Sequence, residues 1–97
     1  MLNITQNKID SILELVLEGR LDTVTAPQLQ AAIDEQFEDV TDVVMDLKDL
    51  AYISSAGLRV LLTVRKGLTG DLVLRNVDPS VLEVLEITGF VDILTIE

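Results

Sequence analysis

From residue 43 onward, short apolar runs of strand length alternate with longer segments whose apolar residues recur at helical spacing. Such an alternation of strand and helix is typical of a parallel sheet whose strands are joined by right-handed crossovers. A chain of 97 residues can bury one hydrophobic core of this kind but not two. We therefore expect a single domain of the α/β class over residues 1–97.

The first part of the chain has a different pattern, that of an antiparallel hairpin. Leu2 and Ile4 alternate with polar residues, and a second alternating run follows at Leu13–Leu17. Between these runs, Asn7-Lys8 predicts the turn, and Gly19 predicts the end of the second strand. Two strands should therefore precede the first helix.

The remaining elements follow from local signals. The segment Thr25–Gln28 matches a capping box, which predicts the start of a helix. Val43–Leu47 has the continuous apolar pattern of a central strand buried on both faces. The complete predicted order is β-β-α-β-α-β-α-β, in a mixed, mostly parallel sheet of about five strands with three helices. After the hairpin, the first predicted elements are a helix at about Ala26–Glu38, a strand at Val43–Leu47 that is followed by a second apolar stretch through Ile53, and a helix after Ser54–Gly57. The later ones are a strand at Leu72–Leu74, a helix that Asp78–Ser80 begins and Gly89 ends, and a strand over Val91–Ile96.

The absence of Cys and His excludes most catalytic sites. Without imidazole or thiolate, the chain cannot build a Ser-His-Asp or Cys-His nucleophile, a histidine proton relay, or a histidine or thiolate metal site. Carboxylates are numerous, but no pattern pairs two of them for acid/base work. We therefore expect a binding protein rather than an enzyme, with no catalytic residues, no cofactor and no metal.

The formal net charge of −10 limits the possible partners. Phosphate backbones and anionic membrane surfaces attract clusters of Lys and Arg, which the sequence lacks. The charge suits a basic patch on a protein partner, or it only keeps the domain soluble. The sequence has no signal-peptide pattern and no apolar run of bilayer length, so we expect a cytoplasmic protein without membrane insertion.

Three segments resemble the STAS family, whose members include bacterial anti-sigma factor antagonists. They are Gly19–Asp22, the long segment Asp46–Leu62, and Val84–Phe90. In that family, a partner kinase phosphorylates a serine at the start of the second helix, two residues before a glycine. Counted back from Gly57, this resemblance implies phosphorylation of Ser55.

The resemblance also implies a surface that contacts the partner. Ser54 stands where many antagonists have Asp, so it is a second candidate acceptor, and Ala56 stands where many have Ser or Thr. Arg20 occupies a position that is frequently acidic in the family. The expected contact residues are Asp22, Thr23, Ser54, Ser55, Ala56, Gly57, Arg59 and Val60.

Several of these residues also have a purely structural interpretation. Ser54 and Ser55 both fit helix caps, and Gly57 fits close packing of a helix on a strand. Asp22 fits a turn after the second strand. Val60 extends the contact surface if it is exposed, or it belongs to a helix that is apolar on more than one face.

The resemblance implies an anti-sigma factor antagonist that works by partner switching. The unphosphorylated protein would bind an anti-sigma factor that is also a GHKL-type serine kinase, and a PP2C-type phosphatase would reverse the modification. We expect the free protein to be a monomer that binds no nucleic acid. Two alternatives remain open: an accessory STAS subunit of a membrane lipid ABC transporter, and a component of a stressosome-like scaffold.

Overall fold

A computed structural model describes residues 2–97 as one five-stranded sheet with three α-helices. The first two strands are antiparallel, the other three neighbouring pairs are parallel, and the strands lie in sequence order. The predicted fold class and element order are therefore confirmed. The elements are β1 (Leu2–Ile9), β2 (Ile12–Leu21), α1 (Ala26–Gln36), β3 (Asp42–Ile53), α2 (Ser55–Gly67), β4 (Leu72–Arg75), α3 (Pro79–Ile87), a 3-10 helix (Phe90–Asp92) and β5 (Thr95–Ile96).

The hairpin turns later than predicted. Asn7 and Lys8 lie inside β1 and pair with β2, so the prediction of a turn there is wrong. The turn instead consists of Asp10 and Ser11, between the last paired residues of the two strands. Asp10 has a φ of 54°, and Asp is one of the few residues other than Gly that adopt this left-handed conformation readily.

Gly19 lies within β2 instead of ending it. The strand continues to Leu21, and its register against β3 shifts between Gly19 and Arg20. Gly19 has a φ of 113°, a backbone conformation that is strained for any residue with a Cβ atom. The glycine thus permits an irregularity in the strand, as glycines in strands often do.

The hydrophobic core lies on one face of the sheet. Leu13, Leu15 and Leu17 of β2 are buried, whereas the residues between them are partly or fully exposed. β3 shows the same alternation and is the middle strand, as predicted. Its Val44 is only half-buried, so the prediction of burial on both faces is wrong. The buried residues of the three helices and of one face of the sheet form a single core cluster, and Val44 is not part of it.

The C-terminal segment contains less strand than predicted. Gly89 follows the last turn of α3 with a φ of 80°, which confirms its predicted role in ending that helix. The next residues, Phe90–Asp92, form a 3-10 helix, and only Thr95–Ile96 pair with β4. Phe90 and Val91 pack partly buried against the core from this helical turn, so an apolar run here does not require a strand. None of the described helices is long and apolar enough to cross a membrane.

We expect Gly19→Ala to lower the free energy of unfolding by about 1–3 kcal/mol, because alanine at a φ of 113° is strained. Urea denaturation followed by circular dichroism measures this difference. Glu18→Ala, at the exposed neighbouring position, serves as the control and should change stability by less than about 0.5 kcal/mol. Equal stability of both variants would contradict the need for glycine at this position.

Candidate functional site

The candidate site lies where two parallel strands end side by side. Leu21, the last residue of β2, is opposite Ile53, the last residue of β3. The backbone N–H of Ser54 extends this pairing by donating a hydrogen bond of 2.9 Å to the carbonyl oxygen of Leu21. The loop after β2 and the start of α2 are therefore neighbours, and we call residues 22–25 and 54–56 the β2/β3 edge.

The two serines at the start of α2 have different environments. Ser54 is the N-cap, with extended backbone, and its hydroxyl oxygen accepts a hydrogen bond of 3.4 Å from the N–H of Gly57. Ser55 is the first helical residue and is exposed, and its hydroxyl forms no hydrogen bond with any residue in the range 2–97. Only Ser54 therefore caps the helix, and the hydroxyl of Ser55 is accessible.

Gly57 allows α2 to pack closely on the ends of both strands. A Cβ atom at this position would lie 2.7 Å from Cγ of Leu21 and 2.9 Å from Cγ1 of Ile53. The close-packing interpretation of Gly57 is thus confirmed, and the residue is buried. Its backbone is important to the site because it supplies the N–H that Ser54 caps.

Val60 does not belong to the surface of the site. It is 7% exposed, so the expectation that it extends the contact surface is wrong. α2 packs against both α1 and β3, and a helix in that position needs apolar residues on more than one side. Arg59, by contrast, is exposed on α2, and Ala56 is partly exposed.

The loop Asp22–Thr25 is held by a dense set of hydrogen bonds. One carboxylate oxygen of Asp22, Oδ1, accepts from the backbone N–H groups of Val24 and Thr25, each at 3.0 Å. The hydroxyl oxygen of Thr25 accepts from the N–H of Asp22 and donates to the carbonyl oxygen of Arg20, both at 2.8 Å. These bonds confirm the turn-forming role of Asp22. Thr23, next to it, is exposed.

The predicted capping box at the start of α1 is wrong. Thr25 occupies the N-cap position, but its side chain makes no capping hydrogen bond because it is engaged within the preceding loop. The carbonyl oxygen of Asp22 instead accepts from the N–H of Ala26 at 2.8 Å. The loop and the helix are thereby joined through Asp22.

The carboxylate of Asp22 is also stabilised in its ionised form. The hydrogen bond from the backbone N–H of Thr25 lowers the pKa of Asp22 below the ordinary value, although partial desolvation acts in the opposite direction. The hydrogen bonds from the N–H of Val24 and the hydroxyl of Thr25 add to the lowering of this pKa. Asp22 therefore presents a negative charge at the β2/β3 edge at neutral pH.

Comparison with known proteins identifies the family. The model of the STAS domain family matches residues 3–97. The chain belongs to the STAS family. BtrV of Bordetella bronchiseptica, which carries the name of an anti-sigma factor antagonist, is 43% identical to this STAS chain, and the match covers 98% of this chain and 85% of BtrV.

Solved structures share the STAS fold of this chain. The crystal structure of an anti-sigma factor antagonist from Mycobacterium paratuberculosis has a TM-score of 0.85 and 26% identity, covering 99% of this chain and 85% of that one. The structure of the Bacillus cell fate determinant SpoIIAA in its phosphorylated form has a TM-score of 0.76 and 20% identity, covering 98% of this chain and 91% of that one. The similarity to SpoIIAA is evidence for the fold.

Two features near the candidate site were not predicted from the sequence. The guanidinium carbon of Arg20 lies 4.3 Å from the centroid of the Tyr52 ring, a cation–π contact near the β2/β3 edge. Val24 is 84% exposed in the hydrogen-bonded loop. The Arg20–Tyr52 contact depends on the register of β2 against β3, which the irregularity after Gly19 changes. The sequence carries no local signal for that register.

Gly57→Ala should lower the free energy of unfolding by about 1–3 kcal/mol, because the added methyl group overlaps Leu21 and Ile53. Thermal or urea denaturation measures the effect. Ser55→Ala, at an exposed position on the same helix turn, is the matched control and should leave stability within about 0.5 kcal/mol. A fully stable Gly57→Ala variant would contradict the close packing described here.

The side-chain carboxyl of Asp22 should titrate at a lower pH in the folded protein than in a short peptide of residues 20–25. Because the folded-state pKa is lowered, the carboxylate's contribution to stability is complete above the ordinary Asp range and is lost as pH falls through the folded-state pKa. NMR of the side-chain carboxyl carbon and of the Val24 and Thr25 amides follows this titration. Equal midpoints in protein and peptide would contradict the hydrogen-bonded carboxylate.

Proposed function

We propose that this protein is an anti-sigma factor antagonist that acts by partner switching, with Ser55 as the phosphorylated residue. The observation that carries the proposal is the division of roles between the two serines. Ser54 caps α2, whereas the hydroxyl of Ser55 is exposed and free of hydrogen bonds to residues 2–97. A kinase can therefore modify Ser55 without removing a bond that the fold uses.

The relatives support the same class of function. BtrV and the M. paratuberculosis protein are both named as anti-sigma factor antagonists, and both match nearly the whole of this chain. SpoIIAA, which shares the fold, has a structure in a phosphorylated form. The proposed role is thus one of regulated binding, in which the protein is the substrate of a kinase rather than a catalyst.

A phosphate on Ser55 is compatible with the fold. The first turn of a helix has N–H groups without acceptors inside the helix, and the helix dipole favours an anion at this end. The phosphate adds about 1.5–2 negative charges to a surface of small residues. A partner fitted to that surface would meet added bulk and an ion that must lose its hydration, so binding falls while the domain stays folded.

The proposed partners follow from this cycle. A GHKL-type serine kinase that is also an anti-sigma factor binds the unphosphorylated protein at the β2/β3 edge, including Asp22 and Thr23, and a PP2C-type phosphatase resets it. The cycle takes place in the cytoplasm, and the free antagonist is monomeric. It requires neither nucleic acid nor membrane insertion by this chain.

Incubation with the partner kinase and Mg-ATP should add one phosphate, located on Ser55 by mass mapping. Ser54→Ala is the matched control: it removes the helix cap, lowers stability by about 1 kcal/mol, and should still be phosphorylated. Phosphate found on Ser54 alone in the wild type would contradict the assignment.

Ser55→Ala should keep its affinity for the kinase, whereas Ser55→Asp should lose about a hundredfold or more, measured by titration calorimetry. Circular dichroism should show both variants folded, since the side chain is exposed. Equal binding by both variants would overturn partner switching. It would favour instead a permanent interface, as in a transporter subunit or a stressosome-like scaffold.

A further inference from the structure

The helix α2 has a net charge opposite in sign to that of the protein as a whole. The chain has 17 acidic and 7 basic residues, yet α2 contains three basic residues, Arg59, Arg65 and Lys66, and no acidic one. A local excess of positive charge on an acidic domain is a feature that a partner can recognise.

Not all of these cations are available to a partner. Arg65 donates hydrogen bonds of 3.2 Å to the carbonyl oxygens of Ile93 and Gly70, so it is engaged within the fold. Arg59 and Lys66 are exposed, and their side chains form no ion pair or hydrogen bond with residues 2–97. Lys66 lies near Asp92 in a shallow depression, which weakens the positive charge at that end of the helix. Arg59 is therefore the dominant free cation of the helix.

Arg59 is aligned with the accessible serine. Ser55, Arg59, Thr63 and Lys66 are all exposed and follow one another at intervals of four, four and three residues. Residues at this spacing lie on the same face of a helix. We call these four residues the α2 outer face.

We propose that the α2 outer face docks an acidic segment of the partner protein, with Arg59 as its principal contact. This inference rests on the proposed function, because it names the chemistry of the partner at the same site. Charge complementarity selects this occupant: the face presents the free cation Arg59, together with Lys66, on a protein whose net charge is −10.

Phosphorylation of Ser55 would change the charge of the α2 outer face in two ways. Ser55 and Arg59 are four positions apart on α2, so a phosphate on Ser55 lies about one helical turn from Arg59. Guanidinium and phosphate form strong, charge-assisted hydrogen bonds. The modification therefore repels an acidic partner and also occupies the cation that the partner needs.

The first test measures affinity for the partner kinase at low and high salt by titration calorimetry. Arg59→Glu should weaken binding by about tenfold or more, Arg59→Gln by less, and the wild-type affinity should fall as salt rises. Lys48→Glu is the matched control, with the same change of charge at an exposed position on β3. It should change the affinity by less than about twofold.

A second probe, a synthetic octaglutamate peptide, tests the face without the kinase. At low salt, its effects on amide chemical shifts should concentrate on residues 55–67 and disappear in Arg59→Gln. Shift changes that are absent, or spread equally over Lys8, Lys48 and Arg75, would overturn the docking proposal.

These experiments separate the two proposals. If Arg59→Glu and Lys48→Glu bind the kinase equally well while Ser55→Asp loses binding, the acidic docking face is wrong and partner switching stands. If Arg59→Glu loses binding while Ser55→Asp does not, the face stands and the phosphorylation switch is wrong.

Discussion

The parallel pairing of β2 with β3 determines the geometry of the site. The two strands end together at Leu21 and Ile53, and the hydrogen bond from Ser54 to Leu21 continues the pairing into the next segment. Because parallel strands have their carboxyl ends at the same edge, the loop of Asp22 and the start of α2 become neighbours. Residues about thirty positions apart in the sequence thereby form one surface.

Close packing then fixes α2 at this edge. Gly57 brings the helix backbone near Leu21 and Ile53, where a side chain has no room. The N–H of the same glycine is capped by Ser54, so packing and capping restrain the same turn of helix. On the other strand, the hydrogen bonds around Asp22 restrain the adjoining loop. The candidate site is therefore preformed, so a partner that binds there would lose little affinity in ordering it.

The sequence pattern predicted the element order and the sheet type. Both follow from the spacing of apolar residues within each strand and helix, which can be read from the local sequence alone. Through the family resemblance the sequence also indicated Ser55 and Asp22 as site residues, and their roles there stay a prediction. It failed where the outcome depends on neighbours in space. Gly19 looks like a strand end but is accommodated inside β2 by pairing on both sides. Val60 is buried on α2, a helix that packs against both α1 and β3. The contact of Arg20 with Tyr52 required the strand register, which no local pattern contains.

Tyr52 gives this protein a built-in optical reporter. It is the only tyrosine, and the sequence has no tryptophan, so the tyrosine fluorescence of the molecule comes from one ring beside the proposed contact surface. That ring is partly exposed and stacked under Arg20, an arrangement sensitive to any change in the local electric field or solvent access. Events at the β2/β3 edge can therefore be followed in real time without attaching a dye.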